Sequence, residues 1–575
     1  MSRNALIALV VVILLVLVGA AFYIVTQPPA TTTPTATATT PTTTPATTPT
    51  TSSETTTPAV TEAKKTILRV AQAWPCYIDP AVGSDYVSST AITNLYDPLI
   101  WPGTDGSPRP WVATNWTVSN DGLTWTFQIR KGIKFHSGRE LTAKDVAFSM
   151  QRLMTIGQGY AYLFTPYVED IKVLDNYTVQ FKLKKPFGPF LTALARLYIV
   201  DSEEVKAHIK KPGPYGDYGD FATEWLLTHD AGSGPYKVKE VVLEQYVLLE
   251  KFPDYWGPMM PHSPDEIKFI GLTEATTTKA MMANNELEIS SQWLPEEAYQ
   301  DLSKMPGIKI AKIPEISVFY LMLNTKKPPL DDVHVRRALA YAFDYNTVVN
   351  DIFPGSPLVT GPIPPNCPGY CPTEGYTTNI DKAKEELKKS KYYPDIVNNP
   401  DKYEIEYHWI AEVPAEEKVA MLFASNVQQL GLKVKVVKVP WTKVVDEMAK
   451  LETSPHIVSV FVAAHYAEAG SLLESRYHSK SAPTWEQNEW LLNETIDKMI
   501  EDALSTIDMK ERFRKYCEIQ KIVVDQAYSL NLFQQVMKFA YHADYVKWPQ
   551  GEGRDINPVM GYNIDGRTIE VLPKS

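Results

Sequence analysis

The chain has 575 residues, 56 Lys and Arg against 67 Asp and Glu, a net charge of -11 and 4 cysteines. At roughly 150 residues per domain, that length suggests about three domains, each with enough chain for its own core. An acidic balance with no basic run argues against nucleic acid or an anionic membrane surface as main partner, and so few cysteines exclude a disulfide-dense scaffold.

Residues Ala5 to Val25 read ALIALVVVILLVLVGAAFYIV, an uninterrupted apolar run. As a helix it would be about 30 Å long, the thickness of a bilayer's hydrocarbon core. Arg3 and the amino terminus are the positive charges before it, and the next acidic or basic residue is Glu54. The positive-inside bias therefore predicts a cytoplasmic tail, with everything after Val25 outside the cell. The run is longer than a signal-peptide core and ends in bulky FYIV, which favours a retained anchor over the alternative of a cleaved signal. No cysteine near its end supports lipid attachment. Thr31 to Thr57 is nearly all Thr, Pro, Ala and Ser, with no apolar face to offset the entropy of ordering. It reads as a stalk, either an unmodified spacer or an O-glycosylated one, stiffened by proline. Residues 1–26 are thus assigned as an N-terminal transmembrane anchor and 27–65 as a Thr/Pro-rich stalk.

From Thr66 the composition becomes globular. ILRVAQAW (67–74) predicts a strand, and WTFQIRKGIKFHSG (125–138) two strands. TAKDVAFSMQRLM (142–154) has apolar residues at helical spacing behind a capping threonine. Strands follow at NYTVQFKL (176–183) and, as a hairpin or two separate strands, at 234–252. Residues 331–353 predict a helix pair, 415–439 a helix then a strand, and 494–526 continuous helix. Strands and helices mix without regular alternation or a fixed repeat, which predicts an α/β architecture of several lobes.

Enzyme signatures are absent: there is no His-Glu-x-x-His, Gly-x-Ser-x-Gly, phosphate-binding glycine loop or Cys-x-x-Cys. Cys367 and Cys371, in CPGYC, could be joined by a tight turn as a local disulfide, while Cys76 and Cys517 are a second possible pair. No histidine near CPGYC supports zinc. Asn-x-Thr sequons begin at Asn115, Asn176 and Asn493, and an external location makes them eligible for glycosylation.

Several of these segments, taken together, resemble extracellular solute-binding protein family 5, the oligopeptide, dipeptide and nickel-binding components of ABC importers. The segments are LYDPLI (95–100), WVATNWTVSNDGLTWTFQIRKGIKFHSGRELTAKDVAFSMQRL (111–153), DNYTVQFKLKKPFGPFL (175–191), GSGPYKVKE (232–240) with LEKFPDYWG (249–257), LNTKKPPLDDVHVRRALAYAFD (323–344) and GPIPP (361–365). AMLFASNVQQLGLKVKVVKVPW (420–441) resembles the family's helix, strand and following Trp. The resemblance spans Thr66 to Ser575 and implies a membrane-anchored, archaeal-like form. It also implies an α/β, two-lobed, periplasmic-binding-protein-like clamshell without catalytic residues, cofactor or metal. Lobe I would comprise 66–100, 230–322 and 541–575, an inserted subdomain 101–229, and lobe II 323–540. Ligand would sit between the lobes, and ABC permease subunits would receive the closed form.

By the same resemblance, Trp441 would be an aromatic cleft contact, and Tyr160 and Tyr162 lie in a loop that lends a tyrosine to the cleft in peptide binders. Asp145 and Arg152, within the helical motif, read as a solvent-exposed face. In SVFVAAHYAEAGSLLES (459–475) peptide binders usually carry an Asp that pairs with the peptide's amino group. This chain has His465 and Tyr466 there, with Glu468 the nearest acid. A neutral imidazole offers one weak acceptor, so either Glu468 takes over or the ligand lacks a free amino terminus. The expectation is a receptor for oligopeptides. An oligosaccharide-binding member of the family is the alternative, and a stalked hydrolase or surface-layer protein the competing class.

Overall fold

The computed structural model describes residues 65–573 other than Pro75. The apolar run Ala5–Val25 and the stalk lie outside the described residues. Among the described residues no helix is long and apolar enough to cross a membrane.

The chain opens with β1 (Ile67–Gln72) and α1 (Tyr86–Leu95). It continues with β2 (Ala113–Val118), β3 (Thr124–Ile129), α2 (Ala143–Ile156), β4 (Val168–Asp175) and β5 (Thr178–Leu183). Next come β6 (Tyr236–Val242), β7 (Tyr246–Lys251), β8 (Glu266–Gly271), the long β9 (Ile308–Leu323) and α3 (Val333–Ala342). β10 (Ile405–Ile410), α4 (Ala415–Gln428), β11 (Val434–Val439), α5 (Trp441–Met448), β12 (Ile457–Ala463) and α6 (Ala469–Tyr477) follow. The last long elements are α7 (Glu494–Ser505), α8 (Met509–Asp525) and β13 (Ser529–His542).

These strands form three main sheets, ordered β1-β8-β7-β6, β2-β3-β5-β4 and β11-β10-β12-β9-β13. In the third sheet alternation along β9 feeds two cores. Phe319, Leu321 and Leu323 pack with Val335, Leu339 and Phe423 on one face, while Val318, Tyr320 and Met322 join the large core on the other. β9 and β13 also extend beyond that sheet. Their far ends pair from Ile308–His542 to Pro314–Val536, and the ladder resumes only at Val318–Gln534 after a bulge. Isolated bridges Val70–Ile289 and Ile289–Tyr541 tie β1 to this far end. One pair of strands thus links the first sheet to the third.

Most predicted elements form where their periodicity places them, including the 331–353 helix pair, which is α3 and a second helical stretch from Tyr345 to Ile352 whose end is π-helical. There are two differences. Residues 131–138 give no second strand, only an isolated Lys134–Glu140 bridge. The 494–526 helix breaks at Asp508, whose carboxylate accepts the Glu511 N–H at 2.8 Å and starts α8.

Asp145 and Arg152 are not on an exposed face. Arg152 is buried and forks onto Asp79 at 2.7 and 2.6 Å. Asp145 is also buried, paired with Arg139, and accepts the Thr142 N–H at 2.9 Å to close a capping box. Helical spacing registers a polar position as outward-facing. It is blind to a partner 73 residues away in sequence. Arg336 is likewise buried, donating to the carbonyls of Leu330, Gln526 and Ala527, and Arg337 pairs with Asp525.

The disulfide is Cys371–Cys517, with Cα atoms 5.2 Å apart, in place of the predicted Cys367–Cys371 bond. Cys76 and Cys367 are buried free thiols, so Cys76 does not pair with Cys517. The expected turn exists, with the Tyr370 N–H on the Cys367 carbonyl at 2.9 Å. It lies against α8, however, where Gln520 accepts from the Cys371 N–H at 3.2 Å and donates to the Gly369 carbonyl at 2.9 Å. That docking brings Cys371 to Cys517, while Cys367 packs in the core.

Glu416, buried in α4, accepts from the Ile410 N–H at 3.1 Å and the Ser459 hydroxyl at 2.7 Å, joining helix to sheet. Burial pushes its carboxyl up to about 8 against these bonds. Between the unfolded value near 4.5 and about 8 the folded state holds a proton the unfolded chain releases, so this group's contribution to stability falls as pH rises. Glu416→Gln is expected to raise the melting temperature by several degrees at about pH 8.5 and scarcely at pH 4, and an equal gain at both would contradict it. Non-reducing peptide mapping should recover Cys371 linked to Cys517, with alkylated Cys76 and Cys367. Cys517→Ser should cost about 2–4 kcal/mol of unfolding free energy.

Candidate functional site

The bulge in β9 sets the site. Residues 315–317 bow out of the ladder, and the Gln534 amide donates to the freed Glu315 carbonyl at 2.9 Å. The Glu315 side chain is 3% exposed, yet its Oε1 has no hydrogen-bond partner. Burial pushes this carboxyl up to about 8, and the Arg196 charge opposes the rise. The neighbouring Ser317 hydroxyl is buried and unpartnered too. The register of the Val70–Ile289 and Ile289–Tyr541 bridges carries the end of β1 and residue 292 toward the same break. There Gln72 Oε1 and both amide atoms of Gln292 are buried without partners.

Facing this group is Arg196, wholly buried. Its Nε donates to the His465 carbonyl at 2.8 Å and Nη1 to the Met560 carbonyl at 2.9 Å, while Nη2 reaches no acceptor. The guanidinium lies 4.6 Å from the Tyr160 ring centre, a cation–π contact that partly offsets its desolvation. Arg196 therefore joins three segments distant in sequence and keeps the Nη2 donors over.

His465 follows β12. Its backbone N–H is taken by the Ser471 hydroxyl at 2.8 Å, which fixes the turn into α6. Nε2 lies 3.0 Å from Glu486 Oε1, and Nδ1 is buried without a partner. Burial works against the Glu486 charge, but His465 and Arg476 outweigh it and hold the carboxyl below its ordinary value. Tyr162 meets the imidazole edge-on at 5.1 Å and is 46% exposed, so it forms an open wall. Tyr160 is 6.4 Å from the same ring but buried, its hydroxyl bonded to the Ser84 carbonyl at 3.0 Å and to Ser89 at 2.8 Å.

Trp441 is half-buried at the start of α5, its N–H on Glu412 at 3.0 Å and its ring against Trp485 at 4.9 Å. Since Glu486 follows Trp485, one short segment ties Trp441 to His465. Tyr466 and Glu468 turn the other way. Tyr466 is fully buried, edge-on to Phe187 at 6.2 Å. Glu468 is buried in a forked pair with Arg512 at 2.7 and 2.9 Å and accepts the Tyr516 hydroxyl at 2.8 Å. Four of the six predicted cleft residues thus gather around position 465.

Glu315, Arg196 and Glu486 escaped sequence reasoning. For the first two a signal existed: each is a lone charge inside an apolar stretch, IPEISVFYLML (313–323) and FLTALARLYIV (190–200). The site's chemistry is recognition, with unpaired donors and acceptors held in place and aromatic walls beside them. Two hollows of about 330 and 630 Å³ lie elsewhere, the first beside Asp79 and Leu226, the second beside Phe148 and Tyr218.

Residues 107–483 match the family model described as "Bacterial extracellular solute-binding proteins, family 5 Middle". The "Probable D,D-dipeptide-binding periplasmic protein" of Escherichia coli (strain K12) is 29% identical over 82% of this chain and 88% of its own length. The "Dipeptide-binding protein" of the same strain is 27% identical, covering 80% of this chain and 86% of its own. A Helicobacter pylori periplasmic binding protein solved with the peptide STSA has a TM-score of 0.73 at 23% identity, covering 88% of this chain and 99% of its own. That likeness gives the fold, the two-lobed α/β periplasmic-binding type. With more than half its length matched by the family model, the chain belongs to extracellular solute-binding protein family 5, whose members are transport receptors and not enzymes.

Proposed function

We propose that this protein is the peptide-capturing receptor of an ABC importer, closing two lobes on an oligopeptide and presenting it to the permease. The observation that carries this reading is the group of buried, unpartnered polar atoms on Glu315, Ser317, Gln292, Gln72, Arg196 and His465 at the crossing of β9 and β13. Buried polar groups are costly without partners, and a bound ligand supplies them. Relatives named for dipeptide and glutathione binding point to the same ligand class.

In this reading lobe I comprises residues 66–100, 230–322 and 541–575, the inserted subdomain 101–229 and lobe II 323–540. Tyr160 and Tyr162 come from the insertion and Trp441 and His465 from lobe II. A ligand touching both sides shifts an open-to-closed balance, because it interacts fully only with the closed form. Residues 1–26 anchor the receptor in the membrane and 27–65 hold it off the surface. Exposed Asn115 and Asn176 are open to glycosylation, whereas Asn493 already caps α7 through its side-chain oxygen. An oligosaccharide ligand is the second reading, favoured by His465 in place of an acid and by the exposed Tyr162 face, which could stack on a sugar ring.

Residues 64–575 form one compact unit. Native mass spectrometry of that unit with mixed peptides and mixed oligosaccharides should show peptides retained, with a tryptophan fluorescence change as the Trp441–Trp485 pair is covered. Retention of oligosaccharides alone would select the second reading, and turnover without retention would overturn the receptor.

A further inference from the structure

The acid that the family resemblance places at position 465 is a histidine here, and Glu468 is fully engaged by Arg512 and Tyr516. A peptide's amino terminus would therefore need another acceptor. Glu315 has the required features. It is buried, its Oε1 has no partner, and it stands on the bulge where β9 leaves one sheet for the other. Each of the other buried carboxylates around position 465 already has a bonded cationic or imidazole partner: Glu486 has His465, Glu489 has Arg476 although its Oε2 is unbonded, and Glu468 has Arg512.

The nearest opposing charge does not neutralise Glu315. Arg196 is held by the carbonyls of His465 and Met560, and no hydrogen bond joins it to the carboxylate. Arg196 is held by two carbonyls with Nη2 unused, and Glu315 is held through its backbone carbonyl with Oε1 unused, so a ligand that bonds to both would answer a buried donor and a buried acceptor at once. The flanking unpartnered groups, Ser317 Oγ and the Gln292 amide, are neutral and suit the backbone of a ligand. Burial disfavours the ionised carboxyl, and a ligand ammonium bonded to Oε1 supplies the charge that favours it, in a charge-assisted hydrogen bond about twice as strong as a neutral one.

We propose that Glu315 holds the ligand's primary ammonium group, taking the role that the residue at 465 has given up. The inference rests on the peptide-receptor reading above. Histidine at 465 is then a wall residue locked by Glu486, and the bulge in β9 is what aims the acid into the seam.

The test uses the full-length chain in mild detergent, with a mixture of di- to hexapeptides and the same mixture acetylated at the amino terminus, compared by native mass spectrometry and calorimetry. The wild type should bind the free-amine peptides about 10–100-fold more tightly than the acetylated ones. Glu315→Gln should abolish that preference while leaving affinity for acetylated peptides within about threefold. Glu315→Asp, which keeps the charge, should restore part of it, and this guards against a merely misfolded Gln variant. An undiminished preference in Glu315→Gln, or none in the wild type, overturns the role of Glu315 and leaves the receptor standing. Failure of the wild type to bind any peptide overturns the peptide reading and this inference together.

Discussion

Two adjacent antiparallel strands, β9 and β13, have to serve two sheets at once. Over Val318–Leu323 the side chains of β9 alternate between two cores, and over Ile308–Pro314 the same strand pairs only with β13 on the far side of the bulge. Register cannot slip anywhere along such a strand, since a one-residue shift would exchange every residue between cores. A one-residue shift in β13 lies between Phe319 and Tyr320, and the longest break lies at residues 315–317. At that point backbone pairing lapses, a carboxylate is buried without a partner, and segments from β1 and residue 292 converge. In the proposed closure of the two lobes, such a stretch could change its dihedral angles without disturbing packed layers.

Segments distant in sequence are joined by polar locks as well as by apolar packing. Asp97 gathers the indole N–H of Trp111 at 2.7 Å and of Trp256 at 2.9 Å. Arg152 forks onto Asp79, Arg512 onto Glu468, and Arg476 pairs with Glu489. Buried pairs of this kind add little net stability, yet losing one partner costs about 3–5 kcal/mol, so they specify which segments meet. Arg196 works in the same manner through two carbonyls and positions the His465 loop against Tyr160. Much of the family's signature, LYDPLI, FPDYWG and the α2 motif, is accounted for by such locks and says little about ligand.

Local features were legible in the sequence wherever local physics decides them. The strand at 67–72, the Thr142 cap, the hairpin at 236–251 and the helix-strand unit at 415–439 follow from periodicity and capping. What was illegible depends on distant partners. Arg152 looks solvent-facing until Asp79 is known to lie beneath it. CPGYC looks like a self-contained loop until α8 draws Cys371 to Cys517. Glu468 looks available until Arg512 is found on it. Of the site, the aromatic and imidazole residues around 465 could be read from motif resemblance. Glu315 and Arg196 could have been flagged only as charges stranded in apolar runs, since their significance lies in missing partners, a property of the folded state.

The central claim is that ligand binds at the crossing of β9 and β13. A crystal structure of the protein grown with the peptide mixture tests it most directly. Density for a peptide between Glu315 on one side and Arg196, His465 and Tyr162 on the other is the predicted result. Peptide density confined to the outer hollows beside Leu226 or Phe148, with the Glu315 carboxylate still unpartnered, would contradict it.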